Sequence, residues 1–189
     1  MNSIYTVSTD KLINGCIKGD RNSQKELYNI YAEKMFSICL RYAKDQMDAE
    51  DILQEGFIKL FNNLDKFRGE GSFDGWVRRI FVNTAIESIR RKNRNILNGE
   101  GFENIIIDPQ SNVLDRLYEK DLINCSKTLS IGYKTIFNLY AIEGYSHKEI
   151  ASQLGISEST SKSQFSRAKS LLRNIIKFKN PKKTTSSVI

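Results

Sequence analysis

Residues 146–172 read SHKEIASQLGISESTSKSQFSRAKSLL, and the polar types in the second half suit a polyanion better than they suit catalysis. Ser159, Lys162, Ser163, Gln164, Ser166, Arg167 and Lys169 are donors and acceptors of the kinds that meet base edges and phosphates. A solvated face on an ordinary helical hairpin uses the same types, so composition alone leaves both readings open. Charge is segregated elsewhere as well. Residues 44–55 carry Asp45, Asp48, Glu50, Asp51 and Glu55 against Lys44 alone, and residues 78–94 carry Arg78, Arg79, Arg90, Arg91, Lys92 and Arg94 against Glu87 alone. Between them, Phe67 stands in a loop with Gly69 and Gly71, and Trp76 follows it. Exposed aromatic rings next to bases are the chemistry of single-stranded nucleic acid, where a ring replaces lost base stacking.

Other chemistries lack their residues. His147 is the only histidine, and the three cysteines (Cys16, Cys39, Cys125) are far apart with no CxxC. A zinc site, a disulfide framework and most histidine-dependent catalysis are therefore not expected. No nucleophile–base pair or nucleotide-binding glycine loop stands out, so the chain reads as a non-enzyme without cofactor or metal. No apolar run reaches the roughly 18 residues of a membrane span, and Met1 to Asp10 shows no apolar signal-peptide core. A cytoplasmic protein without membrane insertion is expected. The net charge of +7 favours a polyanionic partner, but Lys177, Lys179, Lys182 and Lys183 sit in an acid-free tail, so the body is only mildly basic.

These residues need helices to position them. The spacing predicts a short helix near Asp10 to Lys18 closed by Gly19, with Asn22 or Asp20 capping the next. In that second helix Leu27, Tyr31, Met35, Ile38 and Tyr42 repeat every three or four positions, one buried stripe. A third helix is predicted over Met47 to Phe61 and a fourth from Phe73 or Asp74 to Lys92. The fold class read from this is all-α: a helical bundle over residues 1–92, a flexible linker over 93–113, a second helical domain over 114–178, and a basic, disordered tail over 179–189. In the second domain, helices are predicted near Leu114–Leu129 and Tyr133–Ile142, the latter ended by Gly144.

Two closely spaced helices follow. Ser146 and Glu149 form an S-x-x-E capping box, Gly155 suits a left-handed turn, and Ser157 suits the cap of the next helix. Phe165, Ala168, Leu172 and Ile175 supply that helix's apolar stripe. A short helix, a glycine turn and a longer helix make the helix-turn-helix, whose second helix enters the major groove. Ser161 departs from the pattern, because an aliphatic residue ordinarily stands there.

Asp48 to Phe61 reads DAEDILQEGFIKLF, and Phe67 to Asn83 reads FRGEGSFDGWVRRIFVN. With the helix-turn-helix after a variable linker, the chain resembles a bacterial sigma factor of the small, two-domain extracytoplasmic-function group of the sigma-70 family. The resemblance covers about residues 10–177. It implies binding to core RNA polymerase, promoter recognition and help in opening the −10 region, with a region 2-like module over 1–92 and a region 4-like module over 114–178.

Residue roles follow by matching. The resemblance implies that Asp48, Asp51, Gln54 and Glu55 dock on a coiled coil of the polymerase's largest subunit. Helix solubility is the competing account of those acids. Phe67 matches a pocket residue for an extruded non-template base, and Asn83 matches a second contact. Phe67 can instead plug the bundle, Asn83 can bond backbone, and Trp76 reads as core before it reads as a stacking platform. Arg78, Arg90, Arg91 and Lys92 are expected on phosphates of the −10 region; Arg79 suits either a phosphate or a local acid. Lys162, Ser163, Gln164, Ser166 and Arg167 match the −35 contacts. Lys162 and Gln164 replace arginines common in the family, so the preferred −35 sequence is expected to differ. The linker's acids suit either RNA mimicry or a plain tether. An anti-sigma factor is a further implied partner, alongside duplex and single-stranded promoter DNA. Two rivals stand beside this reading. A helix-turn-helix regulator acting on duplex DNA without polymerase leaves the Asp48–Phe61 motif without a task. A nuclease needs a convergent carboxylate set, which residues 48–55 do not suggest.

Overall fold

The computed structural model of the protein describes residues 3–92 and 129–179, with side chains described over 9–92 and 129–175. The linker 93–113, the helix predicted near Leu114–Leu129 up to residue 128, Cys125 and the tail beyond Lys179 lie outside the described residues. Every regular element among the described residues is helical. The chain divides into two compact units, Met1–Ile89 and Arg90–Ile189.

The first unit holds α1 (Ser3–Ile17), α2 (Arg21–Tyr42), α3 (Gln46–Asn63), a short 3-10 turn (Leu64–Lys66) and α4 (Phe73–Lys92). α1 begins several residues before the predicted Asp10, since no glycine or proline interrupts the chain ahead of Gly15. Asp20, rather than Asn22, caps α2: its carboxylate accepts from the Ser23 amide at 2.9 Å and the Ser23 hydroxyl at 2.6 Å. These bonds hold its pKa below the ordinary carboxylate value. Asp45 caps α3 in the same way, through the Asp48 amide at 2.8 Å. The stripe of α2 is buried as its period requires, with Leu27 and Tyr42 wholly covered. Where α3 crosses α4, Gly56 lies against the Phe81 ring so closely that a Cβ there would run into it. Helix packing of this kind converts one missing methyl group into close approach.

The second unit holds α5 (Ile131–Phe137), which continues as a π turn (Asn138–Ile142), then α6 (His147–Leu154) and α7 (Glu158–Lys179). α5 starts two residues before the predicted Tyr133, with Ser130 at its N-cap but making no capping bond. The π turn closes through the Glu143 amide on the Asn138 carbonyl at 3.0 Å. Both halves of the α6 capping box form, and Gly155 adopts φ 71°, the left-handed conformation that lets the chain turn into α7. Leu129, Phe137, Ala168 and Leu172 make a core on which Tyr133, Phe165, Leu171 and Ile175 pack.

Candidate nucleic-acid interface

α3 presents the first surface. Its covered side is Ala49, Ile52, Leu53, Phe57 and Leu60. Counting helical phase outward from Asp51 reaches Met47, Glu50, Gln54 and Ile58, all exposed, Met47 at 71 % and Ile58 at 61 %. Two carboxylates and an amide bracketed by two bare apolar side chains can dock on a cationic helix and bury area while doing so. The sequence reading missed Glu50, Met47 and Ile58, although their spacing from Asp51 was available.

Asp48 and Glu55 do not lie on that line. Asp48 is half-buried and accepts from the Lys44 amide at 3.0 Å, closing the first turn of α3. Glu55 is half-buried, with Oε1 at 2.9 Å from Lys59 Nζ. The same ammonium lies 2.6 Å from Glu87 of α4. Partial burial disfavours the charged lysine, but hydrogen bonds to Glu87 and Glu55 outweigh that and raise its pKa above the ordinary value. Of the four predicted docking residues, Asp51 and Gln54 are therefore exposed, and the other two are engaged within the bundle.

α4 and the loop before it present the second surface. Phe67 is half-buried, its ring edge-on to Phe73 at 5.0 Å and tilted against Trp76 at 5.3 Å. Phe73 stacks on Trp76 at 5.8 Å and meets Tyr31 edge-on, also at 5.8 Å. Burial, helped by a hydrogen bond to Asp74, drives the Tyr31 hydroxyl's pKa far above its usual value. Phe67 and Trp76 thus each split between bundle and solvent, a ring backed by rings with one side free. Asn83, half-buried, follows Trp76 by seven residues on the same helical face, roughly 10 Å along the axis. Arg79, Glu87, Arg90, Arg91 and Lys92 are exposed and Arg78 is half-buried. The geometry suits a track with an aromatic pocket at one end and guanidinium groups at the other.

α7 presents the third. Ser159, Lys162, Ser163, Ser166, Arg167 and Lys169 are exposed, and so are Ser170 and Arg173, which the sequence reading did not single out. Gln164 departs from its assignment to this outward face: it is 6 % exposed, with Oε1 buried and without a hydrogen-bond partner. It lies three residues after buried Ser161 and four before buried Ala168, on the inward side of α7. Lys162 is exposed but paired, Nζ to Glu158 Oε1 at 2.7 Å. Ser157 caps α7 through the Thr160 amide at 3.0 Å.

The remaining reactive groups are quiet. Cys16 and Cys39 are buried free thiols, and burial pushes Cys39 up to about 12, so no thiolate forms near neutrality. Among the described residues no group of His, Cys, Asp or Glu side chains is arranged to hold a metal ion.

Fold and surfaces together define a helical protein built to meet nucleic acid through two modules. Residues 27–95 match the family model of sigma-70 region 2, and residues 119–172 match that of sigma-70 region 4. The chain is 30 % identical over 172 residues to the ECF RNA polymerase sigma-E factor of Haemophilus influenzae, covering 84 % of this chain and 90 % of that protein. It is 29 % identical over 168 residues to the ECF RNA polymerase sigma factor SigW of Bacillus subtilis, covering 82 % and 90 %. Against the ECF sigma factor SigE of Mycolicibacterium smegmatis it is 28 % identical and spans 62 % of that protein's length. Among solved structures, the sigma factor RpoE bound to the anti-sigma factor NepR from Bartonella quintana matches at 20 % identity and TM-score 0.48, covering 81 % of this chain and 96 % of that one. The chain belongs to the extracytoplasmic-function group of the sigma-70 family of RNA polymerase sigma factors.

Proposed function

We propose that the chain binds core RNA polymerase, directs it to specific promoters and helps open the −10 region, while the polymerase performs the chemistry. In this reading residues 1–92 bind core enzyme and handle the −10 element, and residues 114–178 recognise the −35 element. One observation carries it: α3 leaves Met47, Glu50, Asp51, Gln54 and Ile58 exposed on a single face. A regulator of duplex DNA alone has no use for that face, whereas a cationic helix of a larger partner fits it. Phe67 and Asn83 would hold non-template bases, with Arg78, Arg90, Arg91 and Lys92 on the backbone. On α7, Lys162, Ser163, Ser166 and Arg167 would meet the −35 duplex. Gln164, turned inward, is left out of that set.

The site of action is the cytoplasm, where polymerase and promoter meet, and no described helix is long and apolar enough to cross a membrane. The RpoE of Bartonella quintana is paired with an anti-sigma factor in its solved structure, and by likeness a protein of that kind is proposed as a partner here. The deciding experiment is run-off transcription with core polymerase and a promoter library. Transcripts that require both this chain and core enzyme are expected. A natively folded chain that neither binds core polymerase at low ionic strength nor yields transcripts ends the proposal.

A further inference from the structure

The one departure from the helix-turn-helix pattern and the one histidine of the chain meet each other. Ser161, in the second turn of α7, is completely buried, and its Oγ lies 3.0 Å from Nδ1 of His147, the first residue of α6. The imidazole stacks on Tyr140 with ring centres 4.3 Å apart and an interplanar angle of 16°. Phe165 of α7 meets it edge-on at 5.7 Å and touches Tyr140 at 4.4 Å. Tyr140 comes from the π turn, an irregularity that often marks a working part of a helix. Three elements of the unit therefore converge on one imidazole.

An aliphatic pair at this place would hold α6 to α7 by packing alone, because apolar contact has no preferred direction. A hydrogen bond has one. Each residue turns a helix by about 100°, so a one-residue slip of α7 would carry the Ser161 hydroxyl out of reach of Nδ1 and break this bond. Lys162 follows Ser161 directly and Ser159 and Ser163 stand two positions to either side of it on the same rigid helix, so the same bond sets where they point. We propose that His147 is a positioning residue for −35 recognition, fixing the rotation of α7 through Ser161; the assignment rests on the sigma-factor reading above.

The charged groups around the ring are Glu158 and Lys162 from α7 and Lys148 from α6, with Lys169 over the Phe165 ring at 5.3 Å; the titratable Tyr140 comes from the π turn. Burial, then Lys162, lowers the imidazole pKa, and Glu158 opposes them. At Nδ1 the neutral ring can accept from the Ser161 hydroxyl, whereas a protonated ring can only donate there, so protonation reverses the direction of this bond. Because the folded-state pKa lies below the unfolded value, the unfolded chain binds the proton more readily. The contribution is fully present above about pH 6.5 and is lost as pH falls below it through the folded pKa.

The test uses the full chain with core polymerase and a −35 sequence selected by the wild type from a randomised library. It reads the ratio of affinities for the selected and a scrambled −35 element at fixed salt. His147→Leu and Ser161→Ala are expected to lower that ratio about two- to tenfold, the worth of one hydrogen bond. His147→Asn, whose amide reaches the position of Nδ1, is expected to hold the ratio near wild type. An unchanged ratio in His147→Leu overturns the proposal even if the melting temperature drops. Should that variant fail to fold, His147→Asn against His147→Gln decides: retention only in Asn supports the assignment, and equal ratios in both overturn it. A wild type that selects no −35 sequence with core polymerase overturns the sigma-factor reading and this assignment together.

Discussion

α4 and α7 are the two helices whose polar faces are proposed to meet DNA, and they differ first in the size of what they expose. α4 is preceded by Phe67 and carries Trp76, two half-buried rings backed by Phe73, with half-buried Asn83 two turns further on. α7 exposes Ser159, Ser163, Ser166 and Ser170 along one ridge, with Lys162, Arg167 and Arg173 beside it. The contrast follows from the form of the nucleic acid. A base taken out of a duplex needs a surface that replaces its neighbours, and rings held by other rings provide one without reorganising. Bases still paired in a groove about 12 Å wide must be approached by a whole helix. Short hydroxyls let the backbone come close and leave the longer cations to the phosphates.

The largest test of that contrast is Phe67→Ala. If the ring replaces stacking for one extruded base, about 1–3 kcal/mol is lost, which slows promoter opening roughly five- to 160-fold. Closed-complex binding through α7 should be unchanged. Stopped-flow fluorescence of a base analogue in the −10 element, beside a gel-shift of the closed complex, separates the two. Equal losses in both assays would make Phe67 a packing residue of the Phe73–Trp76 cluster and remove the contrast.

Lys162→Ala and Gln164→Leu sharpen the α7 side. Lys162 must leave Glu158 to reach a base, so its loss is expected at the lower end of the roughly 1–3 kcal/mol of a specific contact. Binding isotherms at fixed salt on matched and mismatched −35 duplexes measure it, and a uniform loss across sequences would place Lys162 on phosphate. Gln164→Leu should leave −35 affinity unchanged. Its melting temperature should hold or rise, because a buried amide oxygen without a partner is replaced by an apolar group of similar size. A loss of −35 discrimination in Gln164→Leu would return that side chain to the outward face.

Gln164 and Ser161 also show how far the sequence could be read. The spans of α2 to α4, the capping box, the left-handed Gly155 and the buried stripe of α2 follow from local rules, and the structure places them within a few residues, whereas α1 begins seven residues before its predicted start. Which polar residue faces out depends on the rotation of a helix, and that rotation is set by partners distant in sequence. Gln164 looks like a base reader by type but falls on the buried side. Ser161 looks like a defect until His147, fourteen residues earlier, supplies its partner. Asp48 and Glu55 lie at helical spacing with Asp51, yet the Lys44 amide and the Lys59 ammonium draw them inward. Local periodicity finds the apolar side of a helix well; it does not say how far around the polar side a neighbour reaches.

The smallest expected effect belongs to Lys59→Gln, and it asks whether the acid on α4 matters to the strand that α4 follows. Glu87 stands one turn beyond Asn83, exposed, at the edge of an otherwise basic stretch, and Lys59 is bound to it at 2.6 Å. The Lys59 side chain is about a third exposed and Glu87 more than half, so solvent screening limits the pair to about 0.2–1 kcal/mol of stability. Its larger consequence lies in the field along α4, where an unmasked carboxylate repels a phosphate. Binding of single-stranded −10 DNA should weaken a few-fold at low salt, with the deficit vanishing as the Debye length falls to about 3 Å in 1 M salt. Because α7 carries no part of this network, −35 binding should not change. Adding Glu87→Gln should restore the strand binding, since the charge that Lys59 masked is then gone. A Lys59→Gln deficit that persists at high salt or resists that second substitution would mean that Lys59 holds α3 against α4 mechanically, and that the −10 surface depends on the docking helix for its shape rather than for its charge.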